Sequence, residues 1–475
     1  MKTKQLILTS AIGLGLFASP ISTSQAAPEK KGPDPAIVAG EKTQAMLDKI
    51  DNWQPLFNGK DFTGWTGDTA NYKIDGANVT CPAGAKTIAT EKEYGDFILD
   101  FEFKLGTAGN NGIGLRVPKD GTPHLGGMEI QILDSKYEKA KDYQMHGSIY
   151  GVVPAKTGYL KPAGEWNHQT IICIEDHVKV IVNGAVIVDA YLDQVSPIDG
   201  HEHPGLRNPS GHLMLLGHND HVEFKDLRIA DYSPSPAKPA SDKTNTPPAG
   251  FAALFNGKDL SGWKGLADGN AIKRRELKGD DLKKAQEIAD QLMNEHWSVK
   301  EGVLVYDGTG KSLCTAKDYG DFEFYVDWKI PQGADSGIYL RGTPQVQIWD
   351  PWDNTLKDPK TKESKPATTP EDIVAAYRTG RNLGSGGLWN NIHARNQPLV
   401  LADNPIGEWN TFLIRMVGEK VTIWLNGKLV VDRTVLENYW DKTRTTPVFR
   451  EDQIELQHHG SDLYFKNLYI REIPY

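Results

Sequence analysis

LFNGKDFTGW at Leu56–Trp65 returns as LFNGKDLSGW at Leu254–Trp263, with eight of the ten positions identical. Further echoes keep the same order. EYGDF at Glu93–Phe97 answers DYGDF at Asp318–Phe322, and NNGIGLR at Asn110–Arg116 answers DSGIYLR at Asp335–Arg341. GEWN stands at Gly164–Asn167 and again at Gly407–Asn410. The repeat is domain-sized, well beyond the ~20–50 residues of a solenoid unit. The chain therefore holds two related domains, and each can be read against the other.

Around the repeated openers the pattern is that of β-structure. FILDFEFKL (Phe97–Leu105) and FEFYVDWKI (Phe322–Ile330) alternate in character and carry the aromatics that strands favour. Thr170–Ala190 and Thr411–Arg433 each read as strands joined by turns, with Asn183-Gly184 and Asn426-Gly427 as hairpin signals. Both residues of such a pair tolerate φ > 0. His221–Ile229 and Asp462–Ile470 read as closing strands. Many short strands at regular spacing predict an all-β fold, two jelly-roll sandwiches in tandem.

The remaining segments set the boundaries. Lys2 and Lys4, the apolar stretch from Leu6 to about Ala18, and Ser24-Gln25-Ala26 make residues 1–26 an expected signal peptide. Export to a periplasm or beyond follows as an expectation. Residues 27–52 carry one short helix, and the first domain is read over 53–232. The Pro-rich stretch 233–250 is a linker, because proline and small polar residues build no core. The second domain is read over 251–475, with two insertions. Lys273–His296 looks like a charged helix, and Pro351 to about Leu383 like a long loop.

The 475 residues carry a net charge of −9, which argues against nucleic acid and anionic membrane surfaces as partners. Cys81, Cys173 and Cys314 are too few and too scattered for a disulfide framework. They read as small apolar side chains in strands.

One strand carries most of the chemistry. In Met128–Asp134 (MEIQILD), alternation puts Glu129 and Gln131 on one face and Met128, Ile130 and Ile132 on the other. The counterpart is Gln345-Val346-Gln347-Ile348-Trp349-Asp350, so Gln347 and Asp350 match Gln131 and Asp134, while Glu129 has become Gln345. Arg116 and Arg341 end equivalent strands, where an arginine could anchor an anion or hydrogen-bond sugar hydroxyls. His146 aligns with Ser385, and Tyr150 with Trp389, the latter pair as aromatic walls for a sugar ring. His218 aligns with His459. His201, Glu202, His203, His212, His218 and His221 raise a divalent cation as a candidate cofactor, without helical i, i+4 spacing to support it.

Taken together, the LFNGKD openers, NNGIGLR and DSGIYLR, the Glu129–Asp134 strand, GEWN, the LNG hairpin and the closing LQHHG and FKNL strings resemble the 3-keto-disaccharide hydrolase domain family. The resemblance covers nearly all of both domains, omitting the first segment, the linker and the insertions. It implies a concanavalin A-like jelly roll, a carbohydrate partner, and substrates in which one sugar hydroxyl is already a 3-ketone. A ketone acidifies the C2 proton, so a modest base removes it and the enolate expels the C1 aglycone; water adds later. On that reading Glu129 or His146 is the base, Arg116 or a bound cation stabilises the enolate, and His218 or Asp134 is the acid. Gln131, Tyr150, Arg341, Gln347, Asp350, Trp389 and His459 are expected to bind substrate. Two other readings stay open. Glu129-x-Gln131-x-x-Asp134 is a shadow of the paired carboxylates of a retaining glycosidase, which sit ~5–5.5 Å apart. Aromatic walls without turnover would make a lectin-like protein, or the first domain could catalyse while the second binds.

Overall fold

The computed structural model describes residues 33–236, 243–353, 355–357, 361, 364–377 and 381–474. The expected export segment lies outside them. Each body is a sandwich of an eight-stranded and a five-stranded antiparallel sheet, and the two bodies share one topology. In the first body the larger sheet runs Ala185–Tyr191, His177–Val182, Asn167–Ile174, Phe97–Leu105, Val222–Asp231, Asn78–Cys81, Lys73–Asp75, with Gln54–Pro55 added beside Val222–Asp231. The smaller sheet runs Trp65–Gly67, Ile88–Tyr94, Gly211–Leu215, Asn110–Val117, Met128–Leu133.

Strand alternation builds the core between the sheets. Phe97, Leu99, Phe101, Phe103 and Leu105 point inward from one strand and meet Ile113, Ile130 and Ile132 from the other sheet. Each such side chain contributes roughly 1.5–3 kcal/mol when fully buried. Asn183 and Gly184 hold φ of 48° and 83°, and Asn426 and Gly427 hold 51° and 79°, as the hairpin reading required. The repeated opener closes on itself. Asn58 Oδ1 accepts from the amides of Lys60 and Asp61, and Trp65 Nε1 donates to the Leu56 carbonyl at 2.8 Å. Asn256 and Trp263 repeat these bonds, so the most recognisable string in the chain is a turn.

The helix Pro35–Leu47 is capped by Asp34, whose carboxylate accepts from the Ala36 amide at 2.8 Å. It packs on the Asn183-Gly184 hairpin so closely that a Cβ at Gly40 would lie 1.8 Å from the Gly184 carbonyl oxygen. The first insertion of the second body is helical, as Ala271–Glu276 and Gly279–His296. The second insertion, read as a long loop, contains a hairpin of Thr355–Lys357 with Ser364–Pro366 and a helix Pro370–Tyr377. All three cysteines are free and buried.

Charge joins the bodies. The buried Arg415 guanidinium meets Asp96 at 2.6 Å and Glu175 at 3.1 Å from the first body, and Glu323 at 2.5 Å from its own. Lys420 bridges to Asp176 at 2.8 Å and Asp193 at 2.6 Å. Beside these ions, Ile98, Ile172 and Ile174 pack with Val417 and Ile473.

Candidate functional site

Glu129 lies on the edge strand Met128–Leu133 of the smaller sheet, paired opposite Gly114. The first glycine of NNGIGLR makes room for it. A Cβ at Gly112 would come within 2.6 Å of Glu129 Oε1. Met128, Ile130 and Ile132 enter the core, so the polar face is turned away from it, as alternation predicted. On that outer face Ala89, Val117, Met214 and Leu216 form a small apolar floor. With little water to solvate its ionised form, the Glu129 carboxyl is pushed up to about 7.

Two walls rise around it. The chain from Met145 to Val153 runs beside the edge strand, with the Gln131 amide donating to the Ser148 carbonyl at 3.1 Å and Tyr150 N to the Glu129 carbonyl at 2.9 Å. That pairing sets Tyr150 next to Glu129, and Gln144 Nε2 steadies the phenol at 2.8 Å. The other wall is His124, on the short helical turn Pro123–Gly126. Its Nδ1 is 3.8 Å from Glu129 Oε2, and its ring centre is 5.3 Å from that of Tyr150. Burial and the nearby His203 hold the His124 ring below its ordinary value. His203 donates from Nδ1 to the His124 carbonyl at 2.7 Å, and its Nε2 faces Asp199 at 3.1 Å. This pair also abuts Gly151, where a Cβ would lie 2.4 Å from Asp199 Oδ2. Both walls therefore rest on Asp199 and His203.

Gln131 donates to Asn110 Oδ1 at 2.9 Å, while its buried Oε1 meets no donor among the described residues. Leu215 pairs with Ile113 and the Leu216 amide donates to the Gly112 carbonyl, a register that carries His218 towards the Asn110 end of this face. His218 is half-buried and lowered by that burial. In the second body His459 stands 3.8 Å from Asp335, the counterpart of Asn110, and Asp335 accepts from Gln347 at 2.7 Å.

The structure does not bring the other expected residues here. Arg116, at φ 51°, directs its guanidinium to the carbonyls of Gly95, Glu175 and Asn208 and to Asp96. Arg341, at φ 50°, repeats this with the Gly320 carbonyl and Asp321. Both are buried anchors near the joint between bodies. Asp134 accepts from the amides of Ala108 and Lys136, and Asp350 from those of Gly333 and Trp352, so each pins a loop. His146 stacks on core Phe103 at 5.0 Å and accepts from the Leu133 amide at 3.3 Å. Burial pulls it down to about 4, so its ring stays neutral. Ser385 Oγ takes the same backbone position against Trp349, accepting from its amide at 3.2 Å. The His146–Ser385 difference therefore exchanges one backbone cap for another.

The proposed cation ligands also part company. His203 is bound to Asp199 and His212 to the Thr90 carbonyl, while His221 lies beside Glu223. Among the described residues no three His, Cys, Asp or Glu side chains gather as a metal site. His124 was not foreseen, since only the excursion of Pro123–Gly126 folds it back over Glu129.

The second body builds the same face differently. Tyr339 stands in the place of Gly114, Gln457 replaces Leu216 and Glu455 replaces Met214. Gln345 donates to Gln347, and Gln457 Nε2 to the Tyr339 hydroxyl at 3.3 Å. Glu455 is buried beneath Arg274 of the first insertion, at 2.9 Å. Trp389 is 38% exposed and meets Trp349 edge to face at 5.0 Å.

The chain is thus two tandem β-sandwich bodies, the first with a buried carboxylate on an outer sheet face. The chain belongs to the 3-keto-alpha-glucoside-1,2-lyase-like domain family, which matches residues 52–230 and 250–471. It is 22% identical over 253 residues to a 3-keto-disaccharide hydrolase of Bacteroides thetaiotaomicron, covering 47% of this chain and 78% of that protein. A solved candidate glycosyl hydrolase of Parabacteroides distasonis is 27% identical, covering 38% of this chain and all of its own, at a TM-score of 0.34. A galectin-like protein of Bacillus subtilis is 14% identical, covering 38% of this chain and 94% of its own, at a TM-score of 0.27.

Proposed function

We propose that the first body cleaves 3-keto-glycosides, with Glu129 as the base that removes the C2 proton. The observation that carries this reading is a carboxylate poised near 7, buried between Tyr150 and His124. A base with that affinity is ionised in a useful fraction at neutral pH and still strong enough to take a proton made acidic by a ketone. Proton loss gives an enolate at the C3 oxygen. Collapse of the enolate breaks the C1–oxygen bond, and the aglycone leaves with a proton from an imidazole, His124 or His218. Water then adds at C1 of the resulting enone. Tyr150 packs against the sugar ring, and the free Oε1 of Gln131 accepts from a hydroxyl. An export segment at residues 1–26 would place this activity outside the cytoplasm.

For the second body the reading is glycan binding without turnover. Gln345 offers no base, Tyr339 takes the place of Gly114, and the exposed Trp389 offers a stacking surface. Glu129→Gln in the full chain, assayed on a chromogenic 3-keto-glucoside, tests both statements. The expected loss in kcat is about 10²–10⁴-fold. Unchanged turnover would remove Glu129 as the base.

A further inference from the structure

The duplication produced one socket twice, and only one copy is plugged. On the outer face of the larger sheet, the closing strand of each body bulges at a residue of positive φ, Asp226 at 53° and Asn467 at 52°. A bulge opens the ladder and leaves backbone groups to be met by something else. In the second body that something is the linker. Asn245 N donates to Asn467 Oδ1 at 2.7 Å, and Asn467 N donates back to Asn245 Oδ1 at 2.9 Å. Asn245 Nδ2 completes the plug on the Gly302 carbonyl at 2.8 Å.

In the first body the chain ahead of Trp53 is drawn away instead, into the helix that packs on the Asn183-Gly184 hairpin. There the Asp226 amide closes on the Ala77 carbonyl at 3.3 Å, and the space the linker would take stays open as a cavity of about 450 Å³. Its lining has also changed character. Trp53, Glu102, His168, Asp226 and Arg228 stand where the second body has Phe251, Asp327, Thr411, Asn467 and Tyr469. Arg228 lies 4.6 Å over the Trp53 ring and is held by Asp100, and His168 meets the same carboxylate at 2.9 Å. Asp226 is exposed at the mouth of the cavity. Glu102 meets Lys225 at 3.1 Å, at the rim.

From these residues we infer that the cavity at Trp53 and Asp226 is a second saccharide site, for an uncharged sugar unit of a glycan chain. An indole with carboxylates and a guanidinium around it suits a pyranose. The sugar's apolar face packs along the indole beside Arg228, its hydroxyls donate to Glu102 and Asp226, and they accept from Arg228. Arg228 and His168 are committed to Asp100 and Lys225 to Glu102, which leaves the exposed Asp226 carboxylate to disfavour uronic acids and other anions. The size suits one or two sugar units. The cavity lies on the other sheet from Glu129, so a bound chain would tether substrate without entering the catalytic groove.

The test uses the full chain carrying Glu129→Gln, titrated calorimetrically with cellotetraose, maltotetraose and laminaritetraose, and with a tetragalacturonate as the anionic control. At least one neutral tetrasaccharide is expected to bind, and the acidic one not. Trp53→Ala and Asp226→Asn, each added to that background, are expected to weaken binding at least tenfold. Asparagine is the residue the second body uses at this bulge, so Asp226→Asn keeps the backbone even if Trp53→Ala does not fold. Binding unchanged in both variants, or absent for every neutral probe, overturns the proposal. Turnover of a small 3-keto-glucoside is expected to survive Trp53→Ala in the otherwise native chain. Failure of Glu129 as the base would leave this result untouched, so the two readings fail separately.

Discussion

The two bodies share sheets, turns and hairpins, yet their outer faces have diverged at a handful of side chains. The first keeps glycine at 112 and 114 and sets a lone carboxylate between an imidazole and a phenol. The second keeps only the first of those glycines, fills the other position with Tyr339, and turns the carboxylate into an amide. Its remaining acid, Glu455, is also pushed up to about 7 by burial, but it lies under Arg274 and ties down an insertion. A raised carboxyl is therefore no sufficient mark of catalysis. What separates Glu129 from Glu455 is its company, an imidazole and a phenol in place of a guanidinium.

The comparison breaks first at turnover. If the second body only binds, Glu129→Gln should silence the whole protein, and residual activity above one part in about 10² would assign turnover to the second body as well. Next in size is the joint. Arg415→Met removes the guanidinium shared by Asp96, Glu175 and Glu323, leaving Arg116 on Asp96 and Arg471 on Glu323, and removing one partner of such a buried group costs about 3–5 kcal/mol. Calorimetry should show a lower melting temperature, and a transition no lower than that of the native chain would sink the point.

The same Glu129→Gln variant should be more stable than the native chain at high pH. The folded-state carboxyl titrates near 7 against an ordinary value of 4.5, so ionisation opposes folding. That penalty is absent below pH ~4.5, grows as pH rises, and is complete above ~7, reaching about 3 kcal/mol. Melting curves at pH 4 and pH 8 check the sign: the variant's advantage should appear only at the higher pH. A smaller effect is expected at Asp199→Asn, which loosens the support under His124 and Tyr150. A fall in kcat of about tenfold, with a shifted pH profile, would mark positioning, and a change in melting temperature alone would reduce it to structure. Smallest of all, His146→Ser copies the second body's cap and should leave turnover unchanged. A collapse of kcat there would return His146 to the active site.

Much of this was legible in the chain. The doubled strings declared two domains, the Asn-Gly pairs placed the hairpins, and alternation put Glu129 and Gln131 on one outer face. The arginines misled because a strand end does not say where its side chain turns. Arg116 and Arg341 end their strands in the left-handed region, which swings them towards the joint. His146 misled for another reason: its side chain serves a backbone amide, and hydrogen bonds to the backbone leave no trace in residue spacing. His124 and the Asp199–His203 support were hidden because they reach Glu129 from loops far apart in sequence. Only the folded chain brings them together.

Arg415 carries one further consequence. Its charge belongs to one copy of the duplicated unit, and two of its three counter-charges belong to the other. Such a division makes the halves mutually obligate: either copy expressed alone would expose isoleucines and strand ions that no solvent-facing surface would choose. The ancestral single-domain protein cannot have carried this joint in its present form. Once Arg415 was buried, losing a copy became costly, which frees the second face to drift from the first while the pair persists.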